Sequence, residues 1–205
     1  MLAAASAVAL HFALPPDMRY GPPWVVAVVI AVMVVLAAVT RRIGMHHVNN
    51  VIGYSIMGVL TIGMCWGVGS LVHGVLNHTV KAPELLRSAC ILWATNVIVF
   101  ASLYWRLDAG GPNARERRDA HTEGAFLFPQ MTFVSPQSDD KTMAEEEGWR
   151  PHFVDYLFVA FNTSTAFSPT DAPVLSKWAK GAMMVQAIIS FTTVVLIAAR
   201  AVNIL

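Results

Sequence analysis

Charge is what this chain has least of. Asp, Glu, Lys and Arg make up 13% of its 205 residues, roughly half the share found in soluble domains. The formal net charge of +1 provides no basic field for nucleic acid. Cysteine is nearly absent too. Cys65 and Cys90 each sit inside an apolar run, which excludes a disulfide framework or a cysteine-rich zinc site and leaves two small apolar residues. No G-x-S-x-G, H-E-x-x-H, C-x-x-C or P-loop pattern occurs, so nothing nominates an enzyme. His46 and His47 are adjacent, and His73 and His78 are five apart with no Asp or Glu beside either. Neither pair makes a metal-ligand set, and no cofactor is expected. The apolar stretch that opens the chain has no basic residue ahead of it, so it makes a poor signal peptide.

What the chain has is apolar sequence, 56% of it, gathered into long runs. "WVVAVVIAVMVVLAAVT" (24–40) carries Trp24 at one edge and Arg41–Arg42 at the other, as a membrane span should. The run at 51–76 contains Gly53, Gly58, Gly63, Gly67, Gly69 and Gly74. Small residues let helices approach closely in lipid, and Gly63 with Gly67 makes one small-xxx-small pair. "ELLRSACILWATNVIVFASLYWR" (84–106) follows, between Pro83 and the Tyr104–Trp105–Arg106 belt, and the last run is 179–205. Residues 2–14, stopped by Pro15 and Pro16, read as a short further helix, below the ~17–25 residues of a full span. The fold expected is an all-α polytopic membrane helix bundle of four or five transmembrane helices with one re-entrant half-helix. Residues 1–106 hold the N-terminal helices, 107–150 a soluble loop, and 151–205 the half-helix and the final span. Within the loop, "FLFPQMTFV" is apolar enough to lie on the membrane or to tuck into the bundle.

If the first four runs all span, loops 41–50 and 107–150 share a side that carries Arg41, Arg42, Arg115, Arg117, Arg118, Lys141 and Arg150. The opposite side has Arg19 and Lys81. The bias of Lys and Arg toward the cytoplasm then places the first side inside.

The stretch "VDYLFVAFNTSTAFSPTDAP" (154–173) breaks the pattern. The apolar part, Phe153 to Phe167, makes only ~22 Å of helix against a ~30 Å hydrocarbon core. Pro169 and Pro173 cannot continue it. A half-helix that enters the membrane and returns extended fits better, and such backbone is tolerated only inside protein or beside water. Asn162, Thr163, Ser164, Thr165, Ser168, Thr170 and Asp171 crowd its end. Hydroxyls and a carboxylate here either brace a broken helix or line a path for ions. Asp155 lies near the helix start, where the dipole favours an anion. Farther on, Gln186, Ser190 and Thr193 share a helical face at i, i+4, i+7. That face either lines a pathway or fastens one helix to another.

Asp155, Leu157, Phe158, Phe161, Thr163 and Thr165, closing on Asp171, resemble the pore helix and filter of potassium channels. The flanks, an apolar helix before (84–106) and one after, agree. "AFSPTD" (166–171) falls where that family has its filter, with Asp171 on the matching aspartate, Ser168 and Thr170 at the two glycine positions and Pro169 in place of tyrosine. The family's ladder of carbonyl rings needs permissive backbone at those glycines, so potassium selectivity does not carry over. Ser190–Phe191 and Val202–Asn203 also resemble a bacterial integral-membrane family of unknown function. The resemblance implies a channel-like protein in the bacterial inner membrane that passes monovalent cations, as a homo-oligomer with a tetramer favoured. Its constriction would comprise Asn162, Thr163, Thr165, Ser168, Thr170 and Asp171, and Gln186, Ser190 and Thr193 would line the path. In potassium channels this loop enters from outside, whereas the charge bias here has it entering from the cytoplasm. The alternative expectation is a non-conducting scaffold whose half-helix is structural, with the lipid bilayer as its constant partner.

Overall fold

The computed structural model describes residues 46–77, 81–117, 123–131, 149–165 and 172–202, together with positions 28, 31, 32, 35, 36, 39, 40, 42 and 43. Regular structure among these is helical: α1 (His46–Leu76), α2 (Ala82–Leu107), α3 (Pro112–Glu116), α4 (Phe153–Thr165) and α5 (Lys177–Val202), with 3-10 turns at Asp108–Gly110 and Pro129–Met131. Residues 28, 31, 32, 35, 36, 39, 40 and 42 are helical as well. The expected short helix at 2–14 lies outside the described residues.

Three helices among the described residues are long and apolar enough to cross a membrane, with spans Val51–Leu76, Pro83–Gly110 and Lys177–Ala199. The described residues are all-α, and these three helices mark an integral membrane protein. α1 begins at His46, five residues ahead of its apolar run. Hydropathy marks where lipid begins, and a helix can continue past that edge into the polar interface.

The chain divides into two compact units, Met1–Val99 with Ile188–Leu205, and Phe100–Ala187. In the first, α1 buries Gly53, Met57, Leu60, Met64, Gly67, Leu71 and Gly74. Their spacing alternates four and three, the seam of a left-handed helix crossing. On α2, Leu85, Ser88, Ala89, Leu92, Thr95, Asn96 and Val99 form the matching buried stripe. A Cβ built on Gly67 would lie 3.4 Å from Leu92 Cδ1, while Gly63 has open space around it. The glycine that meets a helix is therefore the one in the seam, and Gly63 stands off it. Lipid tails are as apolar as leucine, so this close packing, rather than exclusion of water, holds the helices together.

The second unit is more irregular. α2 ends with Arg106 in its last turn, the sign its dipole favours there. The chain then turns through three residues of positive φ: Ala109 (50°), Gly110 (82°) and Gly111 (89°). A Cβ on Gly111 would stand 2.8 Å from the Arg106 carbonyl oxygen, so only glycine fits. Phe126 and Val174 form a single antiparallel bridge. Leu127 N–H donates to Pro173 O at 2.9 Å, and Leu175 N–H to Ala125 O at 2.8 Å. The apolar "FLFPQMTFV" run tucks inward, with Phe126 and Phe128 buried.

Candidate functional site

α4 is 13 residues long, about 20 Å, and ends short of a full crossing. The residues that begin it explain where it starts. His152 precedes it, and the Asp155 carboxylate accepts the His152 N–H at 2.6 Å. This is the backward half of a capping box, in which a third-position acid satisfies an otherwise unpaired amide. The buried stripe of α4 is Tyr156, Val159, Ala160, Thr163 and Ser164. Val154, Phe158 and Phe161 are exposed on the other side.

Phe126 organises the surroundings. Its ring lies 5.1 Å from that of Tyr104, 6.1 Å from Tyr156, 6.3 Å from Trp178 and 6.3 Å from Phe128, within the range of favourable tilted and edge-on aromatic pairs. Because Phe126 touches both Tyr156 near the start of α4 and Trp178 near the start of α5, both helices begin at the same end. The chain that leaves α4 at Thr165 has returned to that end by Pro173.

From there α5 runs alongside α4 and is fastened to it by Gln186. Gln186 Nε2 donates to Ala160 O at 2.7 Å and to Ser164 Oγ at 2.9 Å, and Gln186 Oε1 accepts the Tyr104 hydroxyl at 2.6 Å. One amide thus links α2, α4 and α5 with its oxygen and nitrogen both engaged. Ser190 and Thr193 are also fully buried, and Thr193 Oγ1 donates to its own helix at Ile189 O, 2.7 Å away. Hydroxyls in membrane helices commonly satisfy themselves in this way.

Of the residues expected at the constriction, Thr163 is buried and donates to Val159 O at 2.8 Å. Thr165 is exposed and donates to Phe161 O at 2.9 Å. Asn162 is half-buried. Ser168, Thr170 and Asp171 lie outside the described residues.

A second polar cluster has no counterpart among the residues that the sequence singles out. Asp108 is completely buried where α2 gives way to its turn. Its carboxylate accepts the Ala125 N–H at 2.5 Å and the Tyr156 hydroxyl at 2.5 Å. The buried Arg115 donates from Nη1 to Asp108 O at 2.7 Å. Its guanidinium stands 5.2 Å from the centre of the Tyr156 ring and 5.9 Å from that of Trp105, a cation–π distance. Burying a carboxylate is costly unless donors surround it, and these do. Burial raises the pKa of the Tyr156 phenol, and the charge of Asp108 and the hydrogen bond to it raise it further, so the hydroxyl keeps the proton it donates. The available sequence signal was an Asp directly behind an aromatic belt and ahead of Gly110–Gly111, a place where an acid is usually solvated. Nothing local names Tyr156, 48 residues on, as its partner.

No group of three or more His, Cys, Asp or Glu among the described residues could hold a metal ion. Comparison with known protein families, with curated proteins and with solved structures gives no match. The class of protein therefore rests on the chain itself: an integral membrane protein with α-helical spans.

Proposed function

We propose that this is a channel-like membrane protein whose copies assemble, with a tetramer favoured by the resemblance, so that residues 162–171 form a constriction for monovalent cations. The observation that carries the reading is the course of the chain around α4. A helix of 13 residues is followed by a return to its own starting end and then by a spanning helix beside it. Such a course fits a re-entrant half-helix, whose irregular part would need protein or water around it at membrane depth. The negative end of the α4 dipole lies at its C-terminal residue, Thr165, after which residues 166–171 follow in sequence. A cation there is favoured without the glycine-dependent carbonyl ladder. Asp171 adds a full negative charge, and Ser168 and Thr170 supply oxygens. In this reading Gln186 fastens the half-helix rather than lining the path, since its amide is already engaged by Tyr104, Ala160 and Ser164.

The test is cation flux in liposomes under K⁺, Na⁺ and H⁺ gradients, comparing wild type with Asp171→Asn. A wild-type flux that the substitution changes at least severalfold supports a pore with Asp171 in it. Equal flux from both moves the path elsewhere. One observation favours a second reading, a non-conducting scaffold: Gln186, Ser164 and Thr163 all spend their polar groups within the protein. Absence of flux from folded, oriented wild type would select it.

A further inference from the structure

At the end of the second unit where α2 stops and α4 and α5 start, three tryptophans each stand next to a basic residue in sequence: Trp105–Arg106, Trp149–Arg150 and Lys177–Trp178. They come from three separate segments: Trp149 and Trp178 join one aromatic nucleus, and Arg115, over the rings of both Trp105 and Tyr156, ties Trp105 to it. Trp105 packs on Phe153 at 6.2 Å, Trp149 on Phe128 at 5.4 Å and Trp178 on Phe126 at 6.3 Å. Phe128 and Phe126 in turn both pack on Tyr156. Tryptophan beside Lys or Arg is the side-chain pairing of a membrane–water interface, ring at headgroup depth and cation in the headgroups.

The charges are placed for an anion. Lys177 and Lys180 are exposed in the first turns of α5, which has no acidic residue in its first turn. A helix start already carries positive partial charge, so these two lysines sit against their own dipole, and an anion there satisfies lysines and dipole together. Arg150 is half-buried, and its Nε is enclosed without a hydrogen-bond acceptor. Arg117 is exposed just beyond α3. Among the described side chains of this end, the carboxylates are Glu123, the buried Asp108 and Asp155, which is bonded to the His152 amide. Among these described side chains, positive charge is in excess.

We infer that this end of the molecule is a binding surface for anionic phospholipid headgroups, with Arg150, Lys177 and Lys180 contacting the phosphate and the tryptophans seating the glycerol and upper acyl chains. Lipid binding of this kind does not depend on conduction. It also sets this end at the leaflet richer in anionic lipid, which agrees with the side that the Lys and Arg bias assigns to the cytoplasm.

The experiment is a titration of the purified full chain in detergent with phosphatidylglycerol and, separately, phosphatidylcholine of the same acyl chains, counting bound lipids by native mass spectrometry. Wild type should bind phosphatidylglycerol at least tenfold more tightly, and about 0.5 M salt should erase most of that preference. Each of Arg150→Gln, Lys177→Gln and Lys180→Gln should weaken it about fivefold, and the triple substitution should abolish it. Lys177→Arg with Lys180→Arg, which keeps the charge, should retain it. Lys81→Gln with Arg87→Gln, at the other end of α2, should also leave it intact. Equal binding of the two lipids by wild type, or a preference that survives both high salt and the triple substitution, overturns the proposal. A loss just as large from the Lys81 and Arg87 pair also overturns it, because the effect would then be net charge alone.

Discussion

Replacing Gln186 with leucine removes one amide and disturbs three helices at once. The side chain makes three hydrogen bonds, to Tyr104, Ala160 and Ser164. Side-chain hydrogen bonds within membrane proteins average about 0.6 kcal/mol each, so their loss amounts to about 2 kcal/mol. The groups left behind add to that. Tyr104 is fully buried, and its hydroxyl would be stranded at a cost of about 1–3 kcal/mol. The Ala160 carbonyl keeps its place in the helix ladder and adds little. Gln186→Leu should therefore destabilise the protein by about 3–4 kcal/mol, read as reversible SDS unfolding in mixed micelles followed by circular dichroism. Tyr104→Phe alone loses one bond and should cost about 1 kcal/mol. The double variant should be more stable than the sum of the two predicts, by about 1–2 kcal/mol, because a phenylalanine at 104 needs no acceptor. Strict additivity, or a Gln186→Leu protein as stable as wild type, would refute the claim that this amide is a fastener.

Other perturbations follow from the same geometry. Gly111→Ala meets both a φ of 89° and a carbonyl oxygen 2.8 Å from the new Cβ, and should lower stability by about 3 kcal/mol in the same unfolding assay. Asp108→Ala strands the Ala125 amide and the Tyr156 hydroxyl together, a loss of about 4 kcal/mol that Tyr156→Phe should partly relieve. Gly67→Leu should disrupt the α1–α2 seam by about 1–3 kcal/mol, whereas Gly63→Leu, with open space around it, should be nearly silent. Folding raises the pKa of Tyr156, so its stabilisation is full below the unfolded tyrosine value of about 10 and is lost as pH rises beyond it. Tyr156→Phe should flatten that alkaline decline in stability.

The spanning helices were legible because hydropathy is additive along a chain: any long run of apolar residues announces itself. The length of α4 was legible for the same reason, with prolines adding a stop. The α1 seam was not, because small and apolar residues crowd that run and only packing chooses among them. Gly67 belongs to the seam and Gly63 does not, although spacing alone pairs them. The polar clusters were legible on one side only. Gln186, Ser190 and Thr193 share a face by arithmetic, yet Gln186's partner Tyr104 lies 82 residues away. Asp108 fell within the expected soluble loop, 107–150, because hydropathy falls there. It is in fact buried, since the loop folds back and brings Ala125, Phe126 and Tyr156 over it. Contacts between distant segments leave no local trace in the sequence.

This division of labour bears on how a pore would work. α4 is held at its first turn by Asp155 on the His152 amide and by Tyr156 on Asp108, and farther along by Gln186 on Ala160 and Ser164. A helix pinned at these points can present whatever follows Thr165 without relying on it for its own position. Stability and passage should therefore separate by residue. Substitutions at Gln186, Tyr104 and Asp108 should shift unfolding and alter flux only as the folded fraction falls. Asp171→Asn and Ser168→Ala should shift flux or ion preference while unfolding stays within about 0.5 kcal/mol of wild type, the ordinary range for changes away from packed features. If Asp171→Asn instead unfolded the protein as readily as Gln186→Leu does, Asp171 would be one more fastener of α4, and the proposed constriction would have to be sought elsewhere.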